Sequence, residues 1–146
     1  MINRTKIRVI YADTDAMGIV YHTNYIKWFE VGRTELFRDL GIIYVEWATE
    51  GISLPLTRAY CHYLLPARCD DVVWVETEIA YLKRASVKFR NIILNEDKKR
   101  ILAKGYTVHA CLNREGKISR IPEKMAAMIG RGIKTETGEE YGKQDE

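Results

Sequence analysis

One feature of the chain constrains its fold more than any other. Thr23 to Leu40 is the sole long helical period, and it stands ahead of a run of strands. Ile26, Phe29, Leu36, Phe37 and Leu40 fall at three- and four-residue spacings, which places them on one helical face. Thr23 or Asn24 is suited to cap its start, and Gly41 sits where a left-handed terminating residue belongs. Gly32, in mid-helix, costs about 1 kcal/mol relative to alanine and so predicts a close backbone approach there. Before the helix, Ile7, Val9 and Tyr11 alternate with Lys6 and Arg8, predicting a strand over Arg4–Tyr11. After it come a short helical piece at Tyr44–Thr49 and strands over Ile52–Leu65, Asp71–Leu82, Ser86–Asn95 and Arg100–Asn113. Leu102, Tyr106, Val108, Ala110 and Leu112 hold one parity of the last strand. NEDKK and NREGK supply turns, and Pro122–Ile129 reads as a closing helix. This order predicts an α+β architecture, a long helix laid across a curved antiparallel sheet of about five strands. One helix cannot cover such a sheet, so a second copy of the chain is the economical partner.

Length supports one domain, expected over residues 1–130, followed by a polar, mobile tail over 131–146 that reads RGIKTETGEEYGKQDE. Lys and Arg total 23 against 20 Asp and Glu; the excess suits a phosphate-bearing small molecule and is too weak for nucleic acid. Cys61, Cys69 and Cys111 form no CxxC pair, which fits a reducing, cytoplasmic setting. The N-terminus lacks the apolar core of a secretory signal, and no apolar run approaches the roughly 18 residues of a membrane span.

The candidate chemistry lies in YADTDAMGIVYHTNYIKWFE, Tyr11 to Glu30. DTDAMG has the outline of a calcium loop, but Met17 and Asn24 stand where ligands are required. Asp13 reads best as a turn-forming aspartate bonded to nearby amides. Apolar Met17, Ile19, Val20 and Tyr21 follow Asp15 at once, a setting that favours a functional carboxylate. The helix start beside it presents unpaired amides near Tyr21 and His22, suited to polarise a carbonyl oxygen. A carboxylate and an oxyanion-binding helix end are the minimum equipment for acyl transfer. His22, His62 and His109 show no metal-ligand spacing, so no metal or cofactor is expected. His109 reads as a packed strand residue. Cys61 and His62 are strand neighbours, which point to opposite faces and do not form a nucleophilic pair. Lys83, Arg84 and Ser86 sit at a strand-to-strand turn, either a solvated hairpin tip or a grip for phosphates.

The block YADTDAMGIVYHTNYIKWFEVGRTE closely resembles the signature of hotdog-fold acyl-CoA thioesterases of the 4-hydroxybenzoyl-CoA thioesterase type, in particular their Tol-Pal-associated bacterial branch. The likeness is specific over Asp15 to Tyr25 and extends in element order from Ile7 to Ile129. It implies a hotdog fold dimerised so that two sheets run on continuously, as homodimer or homotetramer. It implies an acyl-CoA substrate, with Asp15 as nucleophile or general base and the His22 amide on the thioester carbonyl, its side chain assisting. Tyr21, Asn24 and Tyr25 would shape the site, and Lys83, Arg84 and Ser86 would hold the coenzyme A phosphates. Rivals are a thioesterase acting on acyl carrier protein, a hydroxyacyl-thioester dehydratase using His22 with Asp15, and a non-catalytic scaffold.

Overall fold

The computed structural model describes residues 1–133. Strand β1 (Asn3–Arg8) leads through a single 3-10 turn at Tyr11–Asp13 to helix α1 (Thr23–Asp39) and the short helix α2 (Tyr44–Thr49). Strands β2 (Leu56–Tyr63), β3 (Val72–Leu82), β4 (Ser86–Asn95) and β5 (Ile101–Ala110) follow, and helix α3 (Glu123–Gly132) closes the chain. Every strand pair is antiparallel, in the spatial order β1-β3-β4-β5-β2. This is the expected hotdog arrangement, with α1 lying on one face of the curved sheet. The expected polar tail falls, past Ile133, outside the described residues.

Helix α1 buries Tyr25, Trp28, Phe29, Gly32, Leu36 and Phe37, a stripe wider than the one read from the sequence. Gly32 marks the close approach its position predicts. A Cβ there would run into the Thr77 hydroxyl and, at 2.8 Å, the Val75 side chain. Beneath it Thr77 donates to Asn91 Oδ1 at 3.0 Å, so a buried hydroxyl is satisfied where the helix presses closest. Gly41 ends the helix with φ at +82°, as a left-handed terminator should.

Strand β5 departs from its apolar parity. The buried, helix-facing series is Ala103, Gly105, Thr107 and His109, in register with Ile93, Asn91, Phe89 and Val87 of β4. Small residues are needed here because α1 sits so low. A Cβ on Gly105 would meet the Tyr60 carbonyl and, at 2.9 Å, the Phe29 ring. The polar pair is tolerated because it is bonded: His109 Nε2 lies 2.9 Å from the Thr107 hydroxyl and Nδ1 2.9 Å from the Leu54 carbonyl.

Four strands are shorter than their sequence patterns suggest, β3 only by Asp71. β1 ends at Arg8 because Asp13 closes a turn, its Oδ2 accepting the Ile10 amide at 3.1 Å. The chain ahead of β2 leaves the main ladder. There the Leu54 amide donates to the Tyr44 hydroxyl at 2.9 Å, and Pro55 has no amide to offer. β5 ends at Ala110, beyond which Leu112 bridges Ser53.

The topology leaves β2 at an edge, and seven of its eight residues are exposed. Leu56, Tyr60 and Tyr63 are among its large apolar side chains open to solvent. An exposed apolar edge strand carries unpaired backbone donors and acceptors and is a template for another strand.

Candidate active site

The residues between β1 and α1 build the site locally. After the 3-10 turn, Thr14 bridges Val20, and the Asp15 amide donates to the Ile19 carbonyl at 2.9 Å. The tight reversal this requires falls at Gly18, where φ is +77°. The two aspartates take different parts. Asp13 is 6% exposed, accepts the Ile10 amide, and has Lys27 Nζ 4.0 Å from Oδ1. It is the structural aspartate the sequence suggested. Asp15 is half-buried, and its Oδ1 accepts the Met17 amide at 2.8 Å. Among the described residues nothing bonds its Oδ2. Met17 is 78% and Tyr21 46% exposed, so the apolar neighbours expected to enclose Asp15 do not do so within one protomer.

The start of α1 is built to leave donors open. Thr23 and Asn24 do not cap it, contrary to expectation: the N-cap is His22, with helical backbone angles and no side-chain cap bond. The Asn24 side chain is turned away, donating at 2.8 Å to the Asp13 carbonyl, which also accepts the Tyr21 amide at 2.8 Å. The Asn24 and Tyr25 amides bond the Tyr21 and His22 carbonyls at 3.0 and 3.3 Å. Tyr21, counted among the candidate amide donors, is therefore committed. Among the described residues no acceptor takes the amides of His22 and Thr23.

Tyr63, at the end of β2, reads from sequence as acyl-pocket lining or, more simply, core; the structure places it at the helix start instead. Its hydroxyl donates to the His22 carbonyl at 2.8 Å, and its ring stands edge-on to Tyr25 at 5.2 Å. Although the ring is largely exposed, partial desolvation of the Tyr63 hydroxyl raises it to about 12, with Cys61 adding to the effect. Burial also pushes the Tyr25 hydroxyl up, against a bond to the Ala67 backbone. Both remain neutral and rigidify the helix start. Nothing local in the sequence joins residue 63 to residue 22; only the strand pairing does.

Asp15, Tyr21, His22, Asn24 and Tyr25 thus gather at one end of the sheet, and Lys83, Arg84 and Ser86 at the other. β1, which leads into the site, ends beside Val72, while the basic hairpin follows Leu82. Ten strand steps of about 3.3 Å separate those two ends of β3. Within the hairpin the Lys83 amide donates to the Ser86 carbonyl at 2.8 Å, and Lys83 Nζ lies 4.5 Å from the Tyr81 ring centre. Both cations are exposed.

A cavity of about 330 Å³ opens where α1 faces the chain entering β2, lined in part by Arg33, Phe37, Leu54, Leu56, Phe89 and His109. Arg33 lies four residues after Phe29 and four before Phe37, inside the apolar stripe of α1. That misplaced charge was the available signal. Among the described residues no group of three or more His, Cys, Asp or Glu is placed to hold a metal ion. No described helix is long and apolar enough to cross a membrane.

A family model described as the thioesterase-like superfamily matches residues 9–129. The chain is similar to acyl-CoA thioesterase YbgC of Haemophilus influenzae, at 32% identity over 73% of this chain and 78% of the relative. It is 34% identical to acyl-CoA thioester hydrolase YbgC of Shigella flexneri, over 64% of this chain and 70% of the relative. A solved Thermus thermophilus protein described as hypothetical superposes with a TM-score of 0.85 at 31% identity, over 89% of this chain and 98% of that one.

Proposed function

The chain belongs to the thioesterase-like superfamily, and from that premise we propose that it hydrolyses acyl-CoA to a carboxylic acid and free CoA, at a site shared by two copies. The Haemophilus and Shigella relatives carry acyl-CoA thioesterase and thioester hydrolase names. The observation that carries the reading is local. A carboxylate with one oxygen anchored and the other unbonded among the described residues stands in the turn that feeds a helix start whose His22 and Thr23 amides no described residue claims.

In this reading the thioester oxygen rests on the His22 and Thr23 amides, where the positive end of the helix dipole supports developing negative charge. Asp15 Oδ2 adds to the carbonyl carbon, or takes a proton from water that adds. The carbon–sulfur bond then breaks and CoA leaves as its thiolate; in the first case the acyl group is left as an anhydride on Asp15, and water then cleaves it to free the acid and restore the carboxylate. A thioester suits this modest equipment, because its carbonyl is activated and a thiolate leaves without prior protonation. Each well-placed oxyanion donor contributes on the order of 10²–10³ in rate. The His22 ring, 4.3 Å from that of Tyr21, flanks the same opening.

The second copy follows from the sheet. Leu56 pairs with His109, and His109 with Val87, so the start of β2 lies at the basic-hairpin end. Tyr63, at the other end of β2, holds His22. Antiparallel pairing of two β2 edges about a two-fold axis lays the Tyr63 end of one beside the Leu56 end of the other. The partner's Lys83, the partner's Arg84 and the partner's Ser86 then approach the Asp15 site and hold the nucleotide phosphates. One ten-stranded sheet results, with the exposed edge covered.

Asp15→Asn is isosteric and tests the assignment directly. Thiol release from acyl-CoA should fall by at least about 10² in kcat with the thermal midpoint unchanged, the range general bases supply. Undiminished turnover by the folded variant would remove Asp15 from the mechanism.

A further inference from the structure

The outer face of the sheet, opposite α1, buries a lysine although none of the described helices covers it. The apolar clusters that seat α1 and α3 draw on Val75, Ile79, Val87, Phe89 and Ile93. Their alternate neighbours along each strand point the other way. Lys88, between Val87 and Phe89, and Tyr106, between Gly105 and Thr107, are two such neighbours, yet they are only 7% and 8% exposed. Lys88 Nζ stands 4.2 Å over the Tyr106 ring, which also stacks on Tyr60 at 5.3 Å. Lysine is almost never so buried unless it is paired. The carboxylates of this face are engaged elsewhere, Glu76 with Arg4 at 3.3 Å and Glu78 with Arg90 at 3.2 Å.

Charge says what fits there. By strand register the face carries Arg4, Arg58, Lys88, Arg90 and Lys104 against Glu76 and Glu78. Two copies of so basic a face would repel one another, whereas an acidic segment would be held. The chain supplies one: residues 134–146, KTETGEEYGKQDE, hold five acids against two lysines. The closing helix delivers that segment to the sheet. The Met1 ammonium donates to the Gly132 carbonyl at 3.0 Å, so α3 ends beside the start of β1, an edge strand. Crossing five strands takes about 19 Å at roughly 4.8 Å per spacing. The thirteen residues of the segment extend to about 43 Å at roughly 3.3 Å each, so the reach is ample.

We propose that the acidic segment 134–146 docks on the outer sheet face of its own chain, its carboxylates against Lys88 and the neighbouring cations, and there competes with CoA phosphates for the basic hairpin. Tyr81 joins the two places. Its ring centre lies 4.5 Å from Lys83 Nζ, in the hairpin, and 6.0 Å from Lys88 Nζ, on the face. Docked carboxylates therefore lower the positive potential that Lys83 and Arg84 offer to a nucleotide. The competition rests on the thioesterase reading above; the docking does not.

The test uses the full chain and two readouts. A carbodiimide joins an amine to a carboxylate in direct contact, and mass spectrometry maps the link. In isotope-labelled and unlabelled protein refolded together, Lys88 should link to Glu136, Glu139 or Glu140 within chains of one label. Salt at about 1 M should suppress the link. No link from Lys88 to this segment, or links only between differently labelled chains, overturns the docking; the second result would put another copy on the face. For the competition, the triple variant Glu136→Gln, Glu139→Gln, Glu140→Gln is assayed at low salt. Its KM for acyl-CoA should fall about threefold, the scale of exposed ion pairs, with kcat unchanged. An unchanged KM in an active enzyme overturns the competition and leaves the thioesterase reading standing. Failure of the wild type to turn over any acyl-CoA overturns that reading and the competition with it, and the links alone then decide the docking.

Discussion

The two ends of β2 are opposites. At the Tyr63 end the side chains claim backbone carbonyls and leave amide donors open to an exposed surface. At the Leu56 end Phe37, Leu54 and Phe89 wall a cavity together with Glu30, Thr34 and Tyr44, beside Arg33, whose Nη1 is buried with no hydrogen-bond partner among the described residues. One end can polarise a carbonyl but encloses nothing; the other can enclose an acyl chain but holds no carboxylate positioned like Asp15. On the proposed reading a protomer carries two half-sites, which become whole sites only when another copy turns each end toward its complement.

The closed end should betray itself first, through acid stability. Burial, reinforced by Arg33, lowers His109 from 6.5 to about 4, against the bond to Leu54 that favours its charged form. The unfolded chain therefore binds a proton that the native state refuses between those values. Stability should be fully present above pH 6.5, fall as pH drops toward 4, and level off below. The shift corresponds to a loss on the order of 3 kcal/mol. Urea titrations across this window on the wild type and His109→Gln measure it; the variant should lose this part of the slope.

The basic hairpin comes next in size. Replacing Lys83 and Arg84 together by alanine should raise KM for CoA esters by about tenfold and leave kcat nearly unchanged, because remote charges bind substrate and transition state alike. Added salt should shrink the difference, since both side chains are exposed. A matched fall in kcat would move the hairpin from binding to chemistry. Tyr63→Phe should have the smallest effect. Loss of one hydrogen bond to the His22 carbonyl, about 1 kcal/mol, should lower kcat a few-fold. Its value lies in direction: a change confined to KM would mean that Tyr63 merely lines the opening.

The sequence made much of this visible for plain reasons. Helical spacing located α1, the Tyr44–Thr49 turn and Ser86–Asn95 kept their predicted bounds, and Gly32 announced the close contact over Thr77. Local patterns failed where long-range contacts decide. The helix-facing side of β5 follows the depth of α1, which places Gly105 under Phe29, and not the apolar parity of the strand. Asn24 looks like a cap, yet its amide goes to the Asp13 carbonyl, eleven residues back. Tyr63 and the Arg33 cavity depend on strand order, which no window of sequence contains. The Asp15 to Tyr25 block was legible because its geometry is almost wholly local: one turn, one hairpin and one helix start.

Mixing two crippled proteins tests the shared site most directly. Asp15→Asn and the Lys83→Ala/Arg84→Ala double variant are co-expressed so that subunits assort at random, then assayed below the wild-type KM. If each site takes its carboxylate from one copy and its cations from the other, every mixed dimer carries one intact site. Activity should recover to about a quarter of wild type in a symmetric dimer. If each copy holds a complete site of its own, every site keeps one defect, and the mixture would be no more active than the average of its two components.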